Sequence, residues 1–283
     1  MSHALKAALF GGALCCAGIA QAKDTYRIYG PSTTATNNAY YAWNGSRMTD
    51  FSYALTSAYN YYFTHYNAFV DTKIHSTNVD YLATYDVLQR ADCIVSPWWS
   101  DSETSGNEAY YAAYHFRNGG DLLLFNDDSS HDYIAEYLGI PTISGVSSGT
   151  FTDSTFPFDG PFGNPGVVQT SGNVGHLDLA DVVGTGGQVL ALNGSGQVMA
   201  AFWDDNAYAP GSGRMIIVTD VDTVSDLGPS TYSPLSAQGR FGLNLVAGLI
   251  GADPCNPADC DANGVLNVDD VECFVDTFLG GCP

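Results

Sequence analysis

Asn118-Gly119-Gly120-Asp121-Leu122-Leu123-Leu124-Phe125 sets the architecture of this chain. Paired glycines after an amphipathic run stop a helix, because glycine takes the left-handed C-terminal position without a Cβ clash. An unbroken apolar run then follows, with no alternating polar face. Such a strand is buried on both sides, which is the condition of a parallel sheet covered by helices. The same alternation recurs on either side. Upstream, Thr104 to Arg117 predicts the helix that the glycines end, and Asp92-Cys93-Ile94-Val95-Ser96 a strand stopped at Pro97. Before it come a helix from Thr49 to Phe63, with Thr49 and Asp50 as cap candidates, and strands at Val70 to Ile74 and Tyr26-Arg27-Ile28-Tyr29. Downstream, Ser130 to Leu138 predicts a helix ended by Gly139. Val189 to Leu192, Asn193-Gly194-Ser195-Gly196 and Gln197 to Phe202 predict a β-hairpin. Met215 to Thr219 is a strand, and Arg240 to Ile250 a closing helix. Gly145 to Gly187, rich in Gly, Ser, Thr and Pro, is expected to be an excursion with little regular structure.

Composition sets limits on function. The chain has 283 residues, of which 45% are hydrophobic, so a large core is possible. Its 18 Tyr and 14 Phe argue for a packed globule rather than disorder. Acids outnumber Lys plus Arg by 30 to 9, a formal net charge of -21. That balance argues against nucleic acid as a partner, and against anionic membrane surfaces. The first 22 residues predict a signal peptide: Lys6, an apolar run from Ala7 to Ala20, and the small-x-small site Ala20-Gln21-Ala22. Leu14 before Cys15 stands where a lipidation signal wants a small residue. The mature chain is expected to begin at Lys23, to be secreted or held at the cell surface, and to have no membrane span.

The residues of the body resemble a known family. The Asn118 to Phe125 stretch is similar to the glycine-stopped helix and strand of class I glutamine amidotransferase-like domains. Phe156-Pro157-Phe158-Asp159-Gly160-Pro161-Phe162-Gly163 resembles the Pro-x-x-x-Gly-Pro segment of their non-catalytic relatives, and Gly213 to Val218 with Asp220 and the Asn244-Leu245 helix is also similar. The resemblance implies an α/β fold: a flavodoxin-like, mostly parallel sheet with helices on both faces, over residues 23–251. The amidotransferases carry a cysteine on a tight elbow after the central strand. That position reads Asn126-Asp127-Asp128-Ser129 here, and Cys93 lies inside an earlier strand with no turn to expose it. A nucleophile must be presented and activated, so no glutaminase chemistry is expected.

A different site is expected at the carboxyl ends of the strands, where open α/β sheets bind ligands. Trp98, Trp99, Asp127, Asp128, Asp220 and Asp222 all fall there. Such a rim suits a carbohydrate, whose rings stack on tryptophan, or a hard cation. Paired carboxylates can also hydrolyse a glycosidic bond. The competing reading has the aspartates capping helices and the tryptophans in the core. His131 after Ser129 and Ser130, and His176 before Asp178, offer Ser-His-Asp arithmetic but no glycine-flanked serine. Two body functions follow: a non-catalytic binding or scaffold protein, or a polysaccharide-active glycoside hydrolase or esterase.

The tail carries its own chemistry. Asp259 to Asp270 is a 12-residue calcium loop with Asp259, Asp261, Asn263, Val265 (through its carbonyl), Asn267 and Asp270 at ligand positions and Gly264 at the sharp turn. Val271, Phe274, Val275 and Phe278 form a helical apolar stripe behind it. Asp at position 12 makes residues 252–283 resemble a type I dockerin repeat, which implies Ca²⁺ as cofactor and a cohesin-like or cell-surface partner. The family has two loops where this chain has one, and its small hydroxyl residues at recognition positions are Val268 and Asp269 here. Cys255, Cys260, Cys273 and Cys282 are expected to staple this small module. Three pairings are open; Cys255–Cys282 with Cys260–Cys273 is favoured because it ties the ends together.

Overall fold

The computed structural model describes residues 25–32, 40–57, 69–75, 90–98, 106–153, 157–160, 162–172, 174–225 and 236–251. The predicted leader, Trp99 and the expected calcium module with its four cysteines lie outside the described residues.

Strands β1 (Thr25–Pro31), β2 (Phe69–His75), β3 (Cys93–Pro97), β4 (Asp121–Phe125) and β11 (Met215–Val218) form a parallel array in the order β2-β1-β3-β4-β11. That is the flavodoxin-like order, with its reversal between β1 and β3. Every residue of β3, β4 and β11 is buried, as their unbroken apolar character requires. Successive side chains face opposite sides of the sheet. Cys93, Val95, Leu123, Phe125, Ile216 and Val218 pack with Phe51 and Leu55 of α1 (Thr49–Ser57) and with Phe241, Leu245 and Leu249 of α6 (Ala237–Ile250). Ile94, Leu122, Leu124, Met215 and Ile217 pack instead with Ala109, Ala113 and Phe116 of α2 (Gly106–Arg117) and with Ile134 of α3 (Tyr133–Tyr137). Helices therefore cover both faces. Gly119, at φ +89, is the left-handed stop that releases the chain from α2 into β4.

Beyond β11 the sheet turns antiparallel. The predicted hairpin is β9 (Gln188–Asn193) with β10 (Val198–Trp203), and β10 pairs with β11. The expected excursion is more regular than its composition implies. It holds β5 (Thr142–Val146), β6 (Thr150–Thr152), β7 (Val168–Gln169), β8 (Val174–Leu177) and a short helix α4 (Leu179–Gly184). These strands pair antiparallel with one another, and β6 and β8 join them to β9 and β10. The predicted helix over Ser130–Leu138 shortens to Tyr133–Tyr137, because Asp128 to His131 fold into a hydrogen-bonded turn.

The backbone at Phe158, Phe162 and Gly163 is tied to α6 by Asn244. Asn244 is fully buried. Its Nδ2 donates to the carbonyls of Phe158 (2.8 Å) and Gly163 (3.0 Å), and its Oδ1 accepts from the Phe162 N–H (3.1 Å). A Cβ on Gly160 would fall 2.7 Å from that Oδ1, so glycine is required there. Among the described residues no helix is long and apolar enough to cross a membrane.

Candidate functional site

The carboxyl ends of β1, β3, β4 and β11 lie side by side along one edge, and β1 and β3 flank the switch point. Trp98 leaves β3 with its N–H on the Phe125 carbonyl (2.9 Å) and then takes φ +46. That left-handed conformation costs a non-glycine residue roughly 1–3 kcal/mol. The turn lays the half-buried indole on the His131 imidazole, with centroids 4.1 Å apart and planes 20° apart, and against Tyr41 at 5.1 Å.

The carboxylates gather next to it. Asp127 is 8% exposed and accepts the Val221 N–H through Oδ1 (3.0 Å). Among the described residues no hydrogen bond reaches its other oxygen. Burial pushes its pKa up to about 8, with the charges of Asp220, Asp222 and Asp128 adding and the Val221 N–H opposing. Asp220 is 1% exposed, and both its oxygens are engaged, by Ser171 N–H (2.7 Å) and Asp222 N–H (2.8 Å). Burial raises its pKa to about 7 despite those two donors. Asp222, which opens the short helix α5 (Asp222–Ser225), accepts from Tyr41 Oη (3.1 Å) and from Arg47 Nη1 (3.2 Å). Burial and the Asp222 charge raise the Tyr41 phenol, so it stays a proton donor. Asp128 moves the other way. Burial works against its ionisation, but Ser130 Oγ–H, Ser130 N–H and His131 outweigh it and lower its pKa.

Of the six sequence-predicted rim residues, Asp128, Asp220 and Asp222 are thus within electrostatic reach of Asp127, and Trp98 stands beside them, stacked on His131 and packed against Tyr41. Trp99 lies outside the described residues. Tyr41, Arg47 and Ser171 join the rim without a sequence signal. They come from turns and loops brought to the rim by folding, outside the parallel strands that build it.

The chemistry of the rim is restricted. The turn after β4 holds no cysteine, and at its first position Asn126 is buried, with its Nδ2 on Thr142 Oγ1 (3.1 Å). Cys93 is fully buried within β3. His131 Nδ1 meets both Ser130 Oγ (3.0 Å) and Asp128 Oδ1 (2.8 Å). A relay needs the serine on one ring nitrogen and the carboxylate on the other, so these residues form a turn and not a triad. Among the described residues, no group of three or more His, Cys, Asp or Glu is placed to hold a metal ion.

No family model and no curated protein matches the chain. Solved structures similar to it include the mmIFT52 N-terminal domain, at 13% identity and TM-score 0.49, covering 81% of this chain and 98% of that one. A putative GMP synthase protein from Thermoplasma acidophilum is 13% identical with a TM-score of 0.47, covering 80% and 93%. A putative ThuA-like protein from Bacteroides uniformis is 12% identical with a TM-score of 0.43, covering 79% and 89%. At these identities and scores the likenesses say nothing of activity.

Proposed function

We propose that this is an exported, non-catalytic binding protein that seats a neutral, hydroxyl-rich ligand, a carbohydrate, on the rim at the carboxyl ends of β1, β3, β4 and β11. The observation that carries this reading is Trp98: an aromatic ring held at the switch point by an unfavourable backbone, stacked on His131, beside carboxylates that accept hydrogen bonds from hydroxyls. Backbone strain of this kind persists at positions with a use. The non-catalytic half of the reading rests on the turn after β4, which lacks the cysteine of the amidotransferases, and on Asp220, whose two oxygens are both taken. In the same reading, residues 252–283 fold around one Ca²⁺ on Asp259, Asp261, Asn263, Val265, Asn267 and Asp270, and attach the body to a cohesin-like or cell-surface partner.

One observation favours a hydrolase instead. Burial pushes the pKa of Asp127 up to about 8, whereas Ser130 and His131 hold the neighbouring Asp128 low, and a protonated and an ionised carboxyl in one site can serve as acid and base. A screen of the mature protein on polysaccharides and simple esters separates the two. Binding without turnover, lost in Trp98→Ala, is the expected result. Turnover that disappears in Asp127→Asn would establish the hydrolase. For the tail, calorimetric titration of the intact chain with calcium should give one site, absent in Asp259→Ala; no heat at millimolar calcium would sink it.

A further inference from the structure

The opposite end of β3 and β4 holds a cavity of about 220 Å³, lined by Asp92, Tyr114, His115 and Asn118 with the backbone of Ala91, Gly119 and Gly120. Ala91 and Asp92 precede β3, and Gly119 and Gly120 precede β4, whereas Trp98 and Asp127 follow the same strands. At about 3.3 Å per residue, the five-residue strands put some 16 Å between the two places.

The lining is specific in its chemistry. Tyr114 is 50% exposed, and Tyr110, one turn earlier on α2, is 48% exposed. Their rings are stacked, 6.3 Å apart at 28°, and form an aromatic face running up to the cavity. Within it stand a carboxylate (Asp92), an imidazole (His115) and an amide (Asn118). The Asn118 Nδ2 donates to the Tyr114 carbonyl (2.7 Å), which fixes the side chain at the mouth. Asp92 Oδ2 accepts the Arg27 N–H (2.8 Å), which orients the carboxyl group.

Charge narrows the occupant. Anions are disfavoured by Asp92 and by the carbonyl end of α2, where the helix dipole is negative. A neutral polyhydroxyl ring matches the whole lining, hydrogen-bonded at its edge to Asp92 and Asn118 and stacked by its C–H face on tyrosine. The volume lies below the roughly 300 Å³ at which drug-sized pockets begin, so it suits one sugar ring with its neighbour lying on Tyr110.

We propose that this cavity and the Tyr110–Tyr114 face are a second carbohydrate-binding site, which takes the end of a neutral glycan. The site is independent of the rim. Its test is hydroxyl-radical footprinting of the intact chain with cellohexaose, mannohexaose or spermidine, read by mass spectrometry at Tyr110, Tyr114 and Trp98. The expected result is protection of Tyr110 and Tyr114 by at least one of the two oligosaccharides. That protection should persist in Trp98→Ala and should need at least about tenfold more sugar in Asn118→Ala. Tyr114→Phe, which keeps the ring, should retain protection of Tyr110. Protection confined to Trp98, protection by spermidine but by neither sugar, or protection unchanged in Asn118→Ala would each overturn the proposal. Loss of the Trp98 signal alone would overturn only the rim.

Discussion

Asp121 and Asp127 bracket the same strand, and they are opposites. Both are almost fully buried, at 5% and 8% exposure. Asp121, at the start of β4, has both oxygens engaged: Oδ1 by the Arg214 N–H (2.8 Å) and Oδ2 by the Tyr26 hydroxyl (2.6 Å). It ties β1, β4 and β11 together. Asp127, just past the other end, is held by one backbone N–H. Its second oxygen takes no hydrogen bond among the described residues, and burial keeps it protonated to about pH 8. Buried carboxyls thus sort by how they are satisfied. One engaged on both sides is framework, because removing it strands its donors. One engaged on a single side keeps a hydrogen-bonding position for something else.

The most severe test of this contrast is Asp121→Ala. It removes the acceptor of the buried Tyr26 hydroxyl and of the half-buried Arg214 N–H and should cost about 3–5 kcal/mol in urea unfolding. A loss under about 1 kcal/mol would mean that the tie holds nothing.

Asp127→Asn should do less, and in the opposite direction at high pH. Asparagine still accepts from the Val221 N–H. The folded pKa of Asp127, about 8, is raised from an ordinary value of 3.8. The native state therefore holds this proton more tightly than the unfolded chain. The stability it contributes is full below about pH 4 and is lost as pH rises through about 8. The variant should match the parent only below about pH 4 and exceed it by about 4 kcal/mol or more near pH 9. Parallel stability–pH curves for the two proteins would show that Asp127 does not titrate as its burial demands.

Trp98→Gly should be smaller still in stability, within about 1 kcal/mol, because glycine relieves the left-handed strain while losing the contacts to His131 and Tyr41. Carbohydrate affinity at the rim should nonetheless collapse. Unchanged affinity would make Trp98 part of the framework, like Asp121.

The fold is legible wherever the chain is monotonously apolar or abruptly punctuated. Leu122 to Phe125, Met215 to Val218 and the Asn193–Gly196 turn declare themselves, because burial on two faces permits no polar residue and tight turns demand particular ones. Strands β5 to β8 do not. In β5 only Thr142 is buried, and Ile143, Ser144 and Gly145 face solvent, so no periodic signal arises. The rim is legible to the extent that it lies on strand ends. Tyr41, Arg47 and Ser171 reach it through tertiary folding, and the turn that lays Trp98 on His131 leaves no mark on composition. His131 stands out in the sequence only as chance arithmetic with its serines; its use as a stacking partner depends on φ at Trp98.

Asn244 has a bearing on the order in which the molecule is completed. The carbonyl of Phe158 meets its partner on α6, 86 residues further along the chain. During synthesis the Pro157–Gly163 segment therefore waits, with its backbone groups on water, until nearly the whole body has emerged. Closing that face is a late event, made by the C-terminal helix. A chain halted before residue 244 should present the segment to proteases that the finished molecule resists, which limited digestion of a stalled nascent chain would reveal.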